Sequence, residues 1–212
     1  MRTIAGFAAT CEALTVGDDT IALWRVADLE AHVDRAALLA GDDPAEPPYW
    51  AHLWTGARVL AAAVPRGPRR AVELGCGLGL PGLVAARRGA RVTLVDRVPA
   101  ALAFARASAV TNGCAVDAVA ADVTAGAVRG RFDLVLAAEL LYEREAFPAV
   151  AWALAALLAP GGQALVADAG RVDTRAFYEA LGAAGLRWRT TEHRVLEEGL
   201  SLIVRLVVVG PR

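Results

Sequence analysis

An α/β fold, built on a doubly wound and mainly parallel seven-stranded sheet, follows from two patterns in the sequence. From Arg70 onward, short apolar β-rich runs alternate with alanine-rich helical stretches, as expected for strands covered on both faces by crossover helices. The last two β-rich runs, at 186–193 and 200–209, are joined by Leu196-Glu197-Glu198-Gly199. That connection is too short for a crossover helix, so the sheet is expected to finish in an antiparallel hairpin. A length of 212 residues suits one such domain with an appendage.

Taken in order, residues 20–26 read as a strand, 28–40 as a helix, 41–48 as a Pro- and Asp-rich loop, and 49–64 as a helix closed by Pro65 and Gly67. These belong to an N-terminal capping region over 1–65 that packs on the sheet and does not fold independently. The main domain, 66–212, places strands at 71–74, 92–95, 118–121, 134–137 and 164–167. Helices at 81–88, 99–111, 146–158 and 174–184 separate them, several stopping at Gly or Pro. No motif is recognised before Pro44.

Composition narrows the function classes. Hydrophobic residues make up 56% and mean hydropathy is +0.42, which excludes a disordered chain. A net charge of −1 and pI near 6.3 offer no general attraction for phosphates, so no nucleic-acid partner is expected. All 22 basic residues are arginine. Cys11, Cys76 and Cys114 are odd in number and widely separated, which suits a reduced, cytoplasmic setting. They and His32, His52 and His193 form no metal-ligand spacing, so no metal is expected. Residues 146–167 carry no charge, but Pro148 and Pro160-Gly161-Gly162 break them into pieces too short to cross a bilayer, so no membrane association is expected.

The stretch Val72-Glu73-Leu74-Gly75-Cys76-Gly77-Leu78-Gly79-Leu80-Pro81-Gly82 runs from a strand through a glycine-rich turn into a helix. Such a turn lets the backbone approach a ligand where a Cβ would collide. Asp96 closes the next strand, where a carboxylate accepts hydrogen bonds from ribose hydroxyls. Gly77-x-Gly79-x-x-Gly82 with Asp96 also fits a dinucleotide fingerprint, so the residues alone leave two ligand classes open.

Glu73, two positions before Gly75, completes Glu-x-Gly-x-Gly-x-Gly, which resembles the first motif of the seven-strand, Rossmann-like class of S-adenosylmethionine (SAM) dependent methyltransferases. The resemblance implies SAM in place of NAD, and it also implies the terminal hairpin. On it, the cofactor-binding set is Trp54, Glu73, Gly75, Cys76, Gly77, Gly79, Asp96, Arg97, Asp122, Val123 and Ala138, with Asp122 at the adenine amino group. The thiol of Cys76 has no evident activator and reads as a small packing group.

Two further stretches, Pro47-Pro48-Tyr49-Trp50-Ala51-His52-Leu53-Trp54 and Phe132 to Glu143 with Glu139-x-x-Tyr142, resemble the family 16 methyltransferases, which include protein-lysine methyltransferases. Pro48-Tyr49-Trp50-Ala51 and Asp168-Ala169-Gly170-Arg171 look most like the enzymes that methylate the β subunit of electron-transfer flavoprotein. This resemblance implies a protein lysine as acceptor, Glu139 and Tyr142 as catalytic residues that orient the amine, and Trp50 at the substrate entrance. Glu139 stands where that family usually has Asp, Thr55 where Pro is common, and Ala169 where Asp-Pro-Gly-Arg is common. Four-residue spacing puts Trp50 and Trp54 on one helical face, a pattern that equally suits core packing. The rival functions are a small-molecule methyltransferase and a SAM-binding regulatory subunit without catalysis.

Overall fold

Alternate residues of the central strands face two separate hydrophobic layers, which is why these strands are apolar at nearly every position. In strand β7 (Phe132–Ala138), Leu134 and Leu136 enter one layer while Val135 and Ala137 enter the other. A computed structural model describes residues 2–33, 47–197 and 199–212. The strands preceding β7 are β1 (Arg2–Ile4), β2 (Phe7–Val16), β3 (Asp19–Val26), β4 (Arg70–Leu74), β5 (Arg91–Asp96) and β6 (Val116–Ala120). After it come β8 (Leu158–Asp168), β9 (Leu186–Glu197) and β10 (Leu200–Pro211).

The main sheet has the order β6-β5-β4-β7-β8-β10-β9. Strands β4 to β8 are parallel, and β10 runs antiparallel to both β8 and β9. The doubly wound, seven-stranded sheet with its closing hairpin is therefore as the sequence predicts. Helices α1 (Thr55–Ala63), α2 (Leu80–Arg87) and α3 (Pro99–Thr111) contribute to one layer through Leu60, Leu83 and Phe104. On the other side, α4 (Phe147–Leu157) and α5 (Arg175–Ala183) contribute Phe147, Leu154, Phe177 and Leu181. Helices α2, α3 and α4 carry proline in the first turn, where its missing N–H costs no helical bond. No helix among the described residues is long and apolar enough to cross a membrane.

The N-terminal region departs from expectation. In addition to the expected strand near 20–26, β1 and β2 join β3 in a three-stranded antiparallel sheet. The turn Ala5-Gly6 has positive φ at both residues, as a tight hairpin requires. Of the helix expected over 28–40, the described part is a single 3-10 turn at Leu29–His32. Residues 34–46, with most of the expected loop, lie outside the described residues. The helix expected over 49–64 is divided. A 3-10 turn at Tyr49–Ala51 gives way to extended backbone at His52 and Trp54 before α1 begins.

This small sheet docks on α2 and α3 through defined contacts. Ile21 and Leu23 are fully buried in the layer that holds Phe104 and Leu83. Asn112 accepts from Ala22 N at 2.9 Å and donates to Ala22 O at 2.7 Å, while Ser108 Oγ accepts from Trp24 N at 2.9 Å. Asp19 pairs with Arg88 at 2.8 Å, with side chains only 13% and 9% exposed, and Arg88 also donates to the Val64 carbonyl. Removing one partner of a buried pair strands the other charge. Asp19→Ala is expected to lower stability by about 3–5 kcal/mol in urea denaturation. Asp18→Ala, which breaks a pair 94% exposed at Asp18 with Arg66 3.9 Å away, should change little.

Candidate functional site

The strand order reverses between the neighbours β4 and β7, since the chain leaves them towards opposite edges of the sheet. That reversal opens a crevice at their carboxyl ends, the position where open α/β sheets bind ligands. Two groups of side chains meet there.

The first is the glycine turn after β4. Gly75, Gly77 and Gly79 all have positive φ, which excludes most side chains on backbone grounds. The space is closed as well, but by protein. A Cβ on Gly77 would lie 2.9 Å from the Trp50 carbonyl oxygen, and one on Gly75 would strike the side chain of Leu140. Gly77 N donates to Asp96 Oδ2 at 2.8 Å and Val98 N to Asp96 Oδ1 at 2.9 Å, so Asp96 braces the turn from the end of β5. Burial pushes the Asp96 carboxyl up, opposed by those backbone donors and by Arg97, which is exposed.

Glu73 lies beneath the turn, 1% exposed, with Oε2 accepting from Gly82 N at 2.7 Å. Its described contact braces the start of α2. Cys76 is buried, and burial together with Glu73 and Asp96 raises its thiol well above the usual range, which removes it as a nucleophile. Asp122 is exposed just after β6, where Oδ1 accepts from Thr124 N and Thr124 Oγ1, both at 2.7 Å. These bonds hold its carboxyl below the ordinary value. Val123 opens the short turn that Asp122 caps, and Ala138 is the half-buried last residue of β7.

The second group centres on Glu139, which is 8% exposed and has a positive φ of 55°. Its Oε1 accepts from Gly56 N at 3.1 Å, and its Oε2 accepts from Ala169 N at 3.4 Å. The carboxylate thus meets the first turn of α1, where helix N–H groups lack internal partners and favour negative charge. A Cβ on Gly56 would come within 2.8 Å of the Glu139 carboxyl carbon, so a side chain there would displace the carboxylate. Arg171 Nη2 is 3.6 Å from Oε2, and its guanidinium carbon is 4.1 Å from the centre of the Trp54 ring. Burial raises the Glu139 pKa, against the pull of Arg171. Tyr142, three residues on, is 48% exposed.

The two tryptophans do not share a helical face, because the extended backbone at His52 and Trp54 interrupts the helix between them. Trp50 packs against Phe7 and Phe104, with ring centres 5.5 and 5.4 Å away, as a half-buried member of the core and not as an open rim residue. Trp54 donates to the Tyr49 carbonyl at 3.0 Å and lies beneath Arg171. Sequence reasoning passed over Gly56 and read Arg171 only as a motif letter. The signal for Gly56 was a glycine at the first turn of a helix. Among the described residues no group of His, Cys, Asp and Glu has metal-binding geometry.

The profile of a family described as a methyltransferase domain matches residues 71–162. A protein N-lysine methyltransferase of Danio rerio is 37% identical over 111 residues, which cover 46% of this chain and 50% of that protein. A ubiquinone biosynthesis O-methyltransferase of Xanthomonas axonopodis is 30% identical over 161 residues, covering 73% and 67%. The chain spans about half the length of the curated relatives it matches first. Among solved structures, a 16S rRNA methyltransferase of T. thermophilus in complex with AdoMet and guanosine superposes with a TM-score of 0.65 at 16% identity, over 96% of this chain and 51% of that one. A ribosomal RNA small subunit methyltransferase G of Prochlorococcus marinus is 36% identical over 149 residues, covering 64% of this chain and 56% of that protein, so the expectation of no nucleic-acid partner is not confirmed.

The buried acid under the glycine turn gives a pH test. Desolvation raises Glu73 from 4.5 to about 8, with the Gly82 bond opposing it. The fold therefore favours the protonated form, and stability present below pH 4.5 is lost as pH rises towards about 8. Glu73→Gln keeps an acceptor for Gly82 N and removes the charge. Chemical denaturation should find its stability relative to wild type flat below pH 4.5, then rising until about pH 8.

Proposed function

Because the chain belongs to the S-adenosylmethionine-dependent methyltransferases, we propose that it transfers a methyl group to a nitrogen nucleophile, in the first place a protein lysine side chain. The observation that carries the amine reading is the Glu139 carboxylate, buried at the crevice and linked through the Arg171 guanidinium to the face of Trp54. A partly dry carboxylate next to an aromatic face suits a group that arrives as a cation and reacts as an amine.

The donor set at the other half of the crevice fits the cofactor. Asp96 uses one lone pair of each oxygen on backbone N–H groups, and a carboxylate has about four such sites, so capacity remains for ribose hydroxyls. Asp122, at the end of the adjacent strand, is assigned to the adenine amino group, with Val123, Ala138 and Arg97 around it. Gly75, Cys76, Gly77 and Gly79 supply the close backbone wall, Glu73 supports it from below, and Trp54 separates cofactor from acceptor. When bound, SAM supplies an electrophilic methyl group on a sulfonium, which passes in line to the nucleophile.

The residues of this chain then have alignment as their main task. Glu139 is fixed by Gly56 N and Ala169 N, so it accepts a hydrogen bond from the amine without first being ordered. Its raised proton affinity is the direction that suits an acid receiving the proton of the entering ammonium. Tyr142 closes the exposed side. Trp50 acts through the backbone, its carbonyl lying against the glycine turn. A small-molecule acceptor is the second reading, favoured by the O-methyltransferase of which the chain covers 67%.

Calorimetry should find SAM and S-adenosylhomocysteine bound in preference to NAD, with Asp96→Ala weakening both at least about tenfold through loss of charge-assisted hydrogen bonds. Glu139→Gln should lower turnover while cofactor affinity stays within a few-fold, and Tyr142→Phe should be milder. The acceptor is tested with labelled SAM and the β subunit of electron-transfer flavoprotein from the same organism, beside a version whose target lysines are arginine. Label on the wild-type subunit alone supports the lysine reading. Label entering a metabolite pool and no protein moves the assignment to a small molecule.

A further inference from the structure

Arg171 fills a place suited to a different guest. Its guanidinium lies over the Trp54 ring and faces Glu139. An aromatic face beside a buried carboxylate is an environment that selects organic cations. The hold on Arg171 is loose, however, since 3.6 Å is long for a charge-assisted hydrogen bond and its side chain is 41% exposed.

A second position for this cation lies close by. Asp168 ends β8 and is 3% exposed. Its Oδ1 accepts from Gly170 N at 3.1 Å, but Oδ2 is the one buried side-chain oxygen or nitrogen without a hydrogen-bond partner among the described residues. An unpaired buried carboxylate oxygen is costly, and such an atom calls for an explanation such as a bond made in another state. The cations that act on Asp168 are Arg205 and Arg171, and Arg205 is already drawn to Glu192 at 3.6 Å. Arg171 also lines a cleft of about 530 Å³ with Arg144, Asp173, Tyr178 and Arg205, which gives its side chain room to move.

We propose that Arg171 is a specificity-determining placeholder, displaced from Trp54 and Glu139 by the cationic amine of the acceptor and received by Oδ2 of Asp168. The inference rests on the amine reading of the site. A cation takes over the charge balance at Glu139 as Arg171 leaves, whereas a neutral alcohol would leave that buried carboxylate uncompensated. Selectivity for amines thus comes from the exchange of one cation for another.

The test uses the full chain saturated with S-adenosylhomocysteine and titrated with n-butylammonium, with n-butanol as the neutral control, followed by NMR. Arg171→Met keeps a side chain over Trp54 but removes the charge, and should bind butylammonium at least tenfold more tightly than wild type, with no such gain for butanol. Asp168→Asn should weaken butylammonium binding at least threefold in the wild-type background and have no effect in the Arg171→Met background. That non-additivity is the readout a merely structural Asp168 would not give. Equal affinity in wild type and Arg171→Met, an Asp168→Asn effect that persists without Arg171, or no butylammonium binding by any variant overturns the proposal. If these effects appear while the flavoprotein subunit stays unlabelled, the protein-lysine assignment falls and the placeholder stands. Label on the subunit without the gain in Arg171→Met has the opposite meaning.

Discussion

The side-by-side pairing of β4 and β7 is the constraint on which the site depends. Leu74 lies opposite Ala137 in this parallel pair, and each strand ends within a residue or two of that point. The chain then leaves toward one edge of the sheet through the glycine turn and toward the other through Glu139. No crossover helix covers the gap between the two exits, so their backbone ends face one crevice. The N-terminal region covers this gap from above, with Trp50 against Gly77 and Gly56 against Glu139. A one-residue shift of either strand would exchange its two faces and send Glu139 away from α1.

The carboxyl edge of the sheet also collects the buried acids. Glu73, Asp96, Glu139 and Asp168 are the buried carboxylates among the described residues, and they stand at or next to the ends of β4, β5, β7 and β8. Burial raises each of their pKa values. A fold selected for stability alone would not line up four desolvated acids. Glu73 is held in its protonated form, but wherever the other three are ionised their common sign favours positive ligands along the crevice, and SAM carries both a sulfonium and an ammonium group. The backbone bonds from Gly82, Gly77, Gly56 and Gly170 limit the cost of burial at each position. Positive φ at Glu139 adds local strain of a kind that persists at functional sites.

The main sheet was legible because burial on both faces writes itself into composition. Each parallel strand is a short apolar run and each crossover an alanine-rich one, so all seven strands and the direction of the hairpin were readable from Arg70 onward. The N-terminal sheet was not, since β2 mixes Ala, Thr, Cys and Glu with only weak alternation and draws its order from pairing with β3, which docks on α3. The break after Ala51 was hidden for another reason. Nothing in His52-Leu53-Trp54 forbids a helix, and the break follows from packing Trp50 into Phe7 and Phe104 while Trp54 turns to Arg171. The residues that bind locally, such as Glu73 and Asp96, could be singled out by spacing. The Glu139 cluster joins residues 54, 56, 139, 169 and 171, and no spacing along the chain announces that meeting.

The absence of lysine bears on that same cluster. Every cation near the crevice is a guanidinium, which stays protonated, stacks on aromatic rings and is a poor nucleophile. On the proposed amine reading, a lysine at position 171 would bring a competing amine to the face of Trp54, beside the carboxylate assigned to the acceptor. Arginine there supplies positive charge beside Glu139 without offering a group that competes chemically for the methyl. The planar fork also lets one residue contact a ring face and a carboxylate edge together, which a tetrahedral ammonium does less well. On that reading, the residue type that balances the charge of Glu139 is also one that offers no nucleophile of its own.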